Sequence, residues 1–258
     1  MVTGHGRDSV TSVANALALL QVFSPEAPRL TISDAARLTG VTRPSARRLL
    51  LTFAAEGFVE SDGKYFWLTP KVMRLGFSFL STLPFWEIAQ PHMRLLADSL
   101  QESTSMATLD DLEIVYVLRI PVRSGLIPLN VGSRLPAHAT SLGKALLAFA
   151  NQQTQDELLA RAPFERLTEH TIVEADDLRR EFERVRDRGY ATADSERDIG
   201  VRSAAVPILD RSGSAFAAIN VSANSMRISR EELESRFVIE LHRTADAISA
   251  EIAYGVTR

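Results

Sequence analysis

Thr31–Val59 reads TISDAARLTGVTRPSARRLLLTFAAEGFV. Two short helical patterns flank a break at Leu38-Thr39-Gly40-Val41. Glycine readily adopts the left-handed backbone that ends a helix, which suits Gly40. Thr42 is placed to cap a second helix, with Pro44 tolerated in its first turn. Along that helix Ala46, Leu49, Leu50 and Phe53 recur at the spacing of one buried face. Arg43, Ser45, Arg47, Arg48 and Thr52 fall elsewhere on the cylinder, and Leu51 projects among the arginines. The pattern predicts a helix-turn-helix whose second helix enters the major groove of DNA. Helix pairs joined by a glycine also occur in proteins that never touch DNA, so the neighbouring sequence must agree.

It does agree. Phe58–Ser61 and Lys64–Leu68 are strand-like runs around Asp62-Gly63, a preferred two-residue hairpin turn. A helix-turn-helix followed by a hairpin is a winged helix. Thr42, Arg43, Ser45, Arg47, Arg48 and, on the wing, Lys64 are the candidate DNA contacts. Tyr65 and Trp67 are expected to pack the hairpin onto the helices. Upstream, a helix over Ser12–Ser24 carries Val13, Ala16, Leu17 and Leu20 on one face. Residues 1–8 read as a loose polar lead.

Charge is divided along the chain. The net charge is only −3, yet the first 80 residues hold 9 Lys/Arg against 6 Asp/Glu and the rest 20 against 26. A mildly basic head on an acidic body fits a DNA-binding domain joined to something else. So small an excess predicts weak binding by one head and stronger binding by two heads on adjacent half-sites. The 45% of apolar residues suffices for two modest cores. With no cysteine, thiolate metal sites and disulfides are excluded, and no two of the five histidines have metal-ligand spacing. No run is long and apolar enough for a membrane span or a signal segment, so a cytoplasmic protein without metal or cofactor is expected.

After Thr69-Pro70, a helix over Lys71–Leu83 presents Val72, Leu75, Gly76 and Phe79 on one side. It reads as a linker helix with a dimerising face, interrupted at Pro84. A further helix covers Phe85–Glu102, with Pro91 either bending it or lying near its start. Strands are expected at Thr104–Leu109, Glu113–Arg119, Leu126–Val131, Tyr190–Ser195, Ala204–Leu209 and Ala215–Ser222. Helices are expected after the loop Ser133–Thr140, from a Thr154-x-x-Glu157 capping box, over Asp176–Arg188, and from Ser229-x-x-Glu232 onward. The fold class is therefore α+β: a winged helix-turn-helix over 1–70, a linker helix over 71–84, and an antiparallel sheet flanked by helices over 85–258.

Gly132–Ala148, GSRLPAHATSLGKALLA, together with Arg188–Ile208 and Ala217–Ser222, resembles the IclR family of bacterial transcription regulators. With the head, the resemblance spans nearly all of residues 9–255. The wording near Arg119 and over Leu129–Pro136 is most like the branch that controls aromatic-acid breakdown through the β-ketoadipate pathway. The resemblance implies a homodimer or dimer of dimers on a palindromic operator of double-stranded DNA. It also implies a GAF-like domain that binds a small organic acid effector. Carried over position by position, the effector site falls on Ser141, Leu142, Asp194, Val201, Ser203, Asn220 and Ser222. Effector binding is expected to act on the paired heads through the Lys71–Leu83 helix.

The residues point to the same region. Thr140 and Ser141 stand at a helix start, where free N–H groups hold a carboxylate. Asn220 and Ser222 alternate along a strand and share a face. Arg119 and Arg134 are candidates to clamp an acid group. His138 reads as a structural hydrogen-bonder. Two other functions stay open. Ser141-Leu-Gly-Lys144 matches Ser-x-x-Lys, in which lysine activates a serine nucleophile of an acyl hydrolase, although the companion motifs Ser-Asp-Asn and Lys-Thr-Gly are missing. A small-acid sensing module without DNA binding is the other.

Overall fold

A computed structural model describes residues 9–83, 85–122 and 129–255. Two compact units divide between Phe79 and Leu80. Among the described residues, no helix is long and apolar enough to cross a membrane.

The first unit holds helices α1 (Thr11–Gln21), α2 (Ile32–Thr39) and α3 (Arg43–Ala55), then strands β1 (Val59–Ser61) and β2 (Phe66–Leu68). Thr31 and Asp34 cap α2 reciprocally, each side chain accepting from the other's backbone N–H. Gly40, at φ 73°, ends the helix. Thr42 Oγ1 then caps α3 by accepting from Ser45 N at 3.3 Å. Ala35, Ala46, Leu50, Val59 and Phe66 close a small core with Leu19. Leu30 bridges Phe66, so a third short extended segment lies beside β2.

Three expectations change here. On α1 the fully buried residue is Leu19, while Val13 and Leu17 stay exposed. The hairpin loop has four residues, because Ser61 pairs with Phe66 and the Asp62 carboxylate accepts from the N–H groups of Lys64 and Tyr65. Alternation along β2 sends Phe66 into the core and leaves Tyr65 and Trp67 half-buried. Trp67 instead donates to Glu60 at 3.2 Å and lies under Arg29.

The expected single helix over Lys71–Leu83 is shorter. A 3₁₀ turn, Pro70–Val72, leads into α4 (Met73–Leu80). Met73, Leu75, Phe77 and Phe79 are all exposed.

In the second unit α5 (Trp86–Leu100) precedes the hairpin β3 (Ser103–Asp110) and β4 (Glu113–Ile120). Strand β5 (Arg134–Pro136) and a 3₁₀ turn (Ala137–Ala139) lead to α6 (Ser141–Ala148). Then come α7 (Gln152–Leu159), α8 (Ala175–Arg188), β6 (Ala191–Asp194), β7 (Val201–Leu209) and β8 (Ala215–Asn224). The last helix runs from α9 (Arg230–Glu232) through a π-helical turn (Leu233–Phe237) into α10 (Val238–Gly255). Helix α7 starts earlier than its Thr154 signal, because Asn151 is the cap and accepts from Thr154 N. Strand β5 falls where only a loop was expected. Of the expected strand Leu126–Val131, residues 126–128 lie outside the described residues, and 129–131 are not in a strand. Residues 1–8 and Pro84 also lie outside them.

The six strands form one antiparallel sheet in the order β5-β4-β3-β8-β7-β6. On one face α5 and α10 bury Met93, Leu96, Phe237, Leu241 and Ile248 against Met106, Val206, Ile219 and Val221. On the other, α6 and α8 bury Leu142, Leu146, Phe182 and Val185 against Ala107, Ala205 and Ala218. Small strand residues on that second face leave room between sheet and helices, and a cavity forms there.

Candidate functional site

Two surfaces carry chemistry, one in each unit. On α3, Arg43, Arg47 and Arg48 are exposed. Among the described residues none of the three makes an ion pair. Three unneutralised guanidiniums on a helix whose other face is anchored by Ala46 and Leu50 form a cationic stripe suited to phosphates and base edges. Thr42 and Ser45 are occupied in capping, with their hydroxyls 3.1 Å apart. Lys64 is exposed in the hairpin loop, its ammonium 5.0 Å from the Tyr65 ring centre.

In the second unit a cavity of about 260 Å³ opens between α6 and the sheet. Its floor follows from strand register. Directly opposed residues on neighbouring strands share a face. One row runs Ser103, Ser222, Ser203, Ala193; the next runs Arg119, Ser105, Asn220, Ala205. Arg119 reaches this face because β4 carries a bulge. Met106 pairs with Leu118 and Ala107 with Tyr116, so Val117 is an extra residue. Val117 and Leu118 both enter the core on the opposite face, and Tyr116 and Arg119 both line the cavity.

The wall is rich in charge, and most of it is paired. Arg227 pairs with Glu102, Arg197 with Asp198 at 2.7 Å, and Lys144 with Glu196 at 2.6 Å. Arg119 donates to Ser105 Oγ at 3.0 Å and has no carboxylate partner among the described residues. Burial pushes the Tyr116 phenol up from its ordinary value, against the pull of Arg119 and Arg197. Burial likewise pushes the Glu196 carboxyl up, while Lys144 opposes the shift.

Ser141, Val201, Ser203, Asn220, Ser222 and Arg119, expected at the effector site, all line the cavity. Three others do not. Leu142 is the next residue round the α6 turn from Ser141 and is wholly buried in the core. Asp194 alternates away from Ala193, which does line the cavity, and binds Arg202 and Arg230 at 2.8 and 3.3 Å. Burial alone would raise the Asp194 carboxyl, but those two arginines hold it below its ordinary value. Arg134 is at the sheet edge, paired with Asp110 and Glu113 at 2.6 and 2.7 Å.

The Ser-x-x-Lys reading also fails. Ser141 Oγ bonds Ser203 Oγ at 2.8 Å, and Lys144 Nζ is held by Glu196, so the lysine does not activate the serine. His138 is buried, stacked on Phe164 at 4.8 Å, with Nε2 3.2 Å from the Glu165 carbonyl. Among the described residues there is no cluster of three metal-ligating side chains. Sequence reasoning missed Tyr116, Glu196, Arg197 and Arg227. One signal was available: Lys144, in the otherwise apolar and uncharged helix SLGKALLA, needs a buried partner.

Residues 12–63 match the IclR helix-turn-helix domain, and residues 77–250 match the bacterial transcriptional regulator IclR C-terminal domain. The chain is 40% identical over 233 residues to the Pca regulon regulatory protein of Pseudomonas putida, covering 90% of this chain and 80% of that one. A crystal structure of a transcriptional regulator from Rhodococcus sp. RHA1 superposes with a TM-score of 0.84 at 41% identity, over 95% of this chain and 99% of that one. Another crystal structure holds 3-hydroxybenzoic acid in a double mutant of the inducer-binding domain of the Acinetobacter PobR transcription factor. It matches 63% of this chain and 96% of its own, at 30% identity and a TM-score of 0.58. Head, sheet and sequence relatives agree: the chain belongs to the IclR family and is a DNA-binding transcription regulator of the helix-turn-helix type.

Proposed function

We propose that the cavity takes a small aromatic acid, with its carboxylate on Arg119, and that occupancy changes how the protein holds its operator. The supporting observation is the pairing pattern: every other cation of the wall has a carboxylate, and Arg119 alone among the described wall residues has none. A guanidinium presents a planar fork that matches a carboxylate. A cavity of about 260 Å³ suits a single ring better than a larger metabolite. The hydroxybenzoic acid in the related inducer-binding domain supports the same class. On this reading the regulated genes serve aromatic-acid breakdown, in the cytoplasm. Arg43, Arg47 and Arg48 contact a palindromic site as a homodimer or dimer of dimers, and the exposed apolar residues of α4 supply a dimerising surface.

Calorimetric titration of the full chain with 3- and 4-hydroxybenzoate tests the ligand. Arg119→Met is expected to weaken binding by roughly 1.5–3 kcal/mol, the worth of a charge-assisted hydrogen bond. Equal affinity of Arg119→Met and the parent chain would refute the anchor.

A further inference from the structure

Two acceptor atoms at the cavity wall lack a donor. Glu196 Oε2 and Asn220 Oδ1 are buried and have no hydrogen-bond partner among the described residues. Such an atom has lost its water and gained nothing, a cost that a bound donor removes.

Both groups are already held from their other side. Lys144 Nζ donates to Glu196 Oε1 at 2.6 Å, and Asn220 Nδ2 donates to Ser222 Oγ at 3.1 Å. The loop that carries Glu196 is fastened as well. Thr168 Oγ1 donates to the Ser195 carbonyl at 2.7 Å, and Thr171 Oγ1 to the Glu196 carbonyl at 2.6 Å. Neither side chain can turn to find a partner without breaking a bond it has. With Oε1 taken by the Lys144 ammonium, Oε2 is the oxygen left over, and a donor satisfies it.

Position sets the reach. Arg119 on β4 and Asn220 on β8 flank Ser105 in one cross-strand row, two strand spacings or about 10 Å apart at the backbone. A benzene ring anchored by its carboxylate at Arg119 presents its meta and para substituents toward the far end of that row.

We propose that Glu196 and Asn220 form a donor-reading end of the cavity, which selects aromatic acids bearing a ring hydroxyl or amino group over those without one. This rests on the effector reading above and gives it a specificity. An ether oxygen or a plain ring edge leaves both acceptors unpaired.

The test is calorimetry on the full chain with four probes: benzoate, 4-methoxybenzoate, 4-hydroxybenzoate and 4-aminobenzoate. The hydroxy and amino acids are expected to bind roughly ten- to a hundredfold more tightly than the other two. In Glu196→Gln the side-chain oxygen stays on Lys144 and an N–H replaces the free acceptor. The 4-hydroxybenzoate advantage should then shrink and 4-methoxybenzoate should gain. Asn220→Leu should shrink the advantage without that gain. A merely structural role would lower all four affinities together. Equal binding of benzoate and 4-hydroxybenzoate by the parent chain overturns the proposal even if neither variant folds, and leaves the effector reading standing. An undiminished advantage in both variants overturns it too. Binding of none of the four overturns this proposal and the effector reading together.

Discussion

Ser141 Oγ and Ser203 Oγ are 2.8 Å apart although 62 positions separate the two residues. The first residue of α6 is thereby tied to the middle strand of a three-strand meander, across one end of the cavity. Both serines are buried, so neither hydroxyl has water as an alternative.

Removing one member should leave the other stranded. Ser141→Ala is expected to destabilise the folded chain by about 1–3 kcal/mol, the cost of a buried unpaired hydroxyl. The double variant Ser141→Ala, Ser203→Ala should cost less than the sum of the two single changes. Urea denaturation of all three variants measures this, and strict additivity would contradict the coupling.

Gly143 admits no side chain. A Cβ there would stand 2.1 Å from the Ala137 carbonyl oxygen and 2.4 Å from Ala137 Cα. Both obstacles are backbone, so they cannot swing aside. Gly143→Ala should lower stability by roughly 1–3 kcal/mol or more, like other overpacked sites. A melting temperature equal to that of the parent would show that α6 lies farther from the preceding turn.

Arg47→Ala and Arg48→Ala should weaken operator binding while leaving the fold intact, because both side chains are exposed and make no ion pair among the described residues. The loss is roughly 1–3 kcal/mol for an arginine that reads a guanine. For one that contacts only phosphate, the slope of log affinity against log salt should fall by about one. Titrations at several salt concentrations separate the two roles. Unchanged affinity in both variants would remove α3 as the recognition helix.

Burial lowers the pKa of His138 from its ordinary 6.5, against the opposing pull of the Glu165 carbonyl. The unfolded chain therefore binds this proton more readily than the folded one. The resulting stability is whole above pH 6.5 and is lost as pH falls through the lower folded value. His138→Gln should flatten that part of the stability profile below pH 6.5. Denaturant midpoints across that range, parent against variant, check it; parallel profiles would count against the buried neutral imidazole.

What the sequence revealed depended on how local its cause was. Gly40 and Thr42 act within a turn or two of themselves, and the helix ends they set lie where the motif put them. Alternation correctly set Asn220 and Ser222 together because β8 is regular there. Asp194, carried over from the resemblance, falls one residue from Ala193, which lines the cavity, and a one-residue slip exchanges the two faces of a strand. Glu196 could not be assigned from sequence: its meaning comes from Lys144, which is remote in the chain and adjacent only after folding. On α1 the buried stripe was judged one position off, since Val13 and Leu17 are as apolar as Leu19 and only packing distinguishes them.

Val117 has no partner of its own on β3. Composition is blind to the supernumerary residue, because the hairpin would keep its hydrophobic character if it lost one valine. Such a deletion would leave Arg119 two places from Tyr116, on the chamber side by plain alternation, whereas unbroken alternation along the present sequence, three places on, would turn the guanidinium to the side packed by α5 and α10. The irregular step is therefore what seats the anchor: a strand of this length held in perfect register would leave the chamber without it.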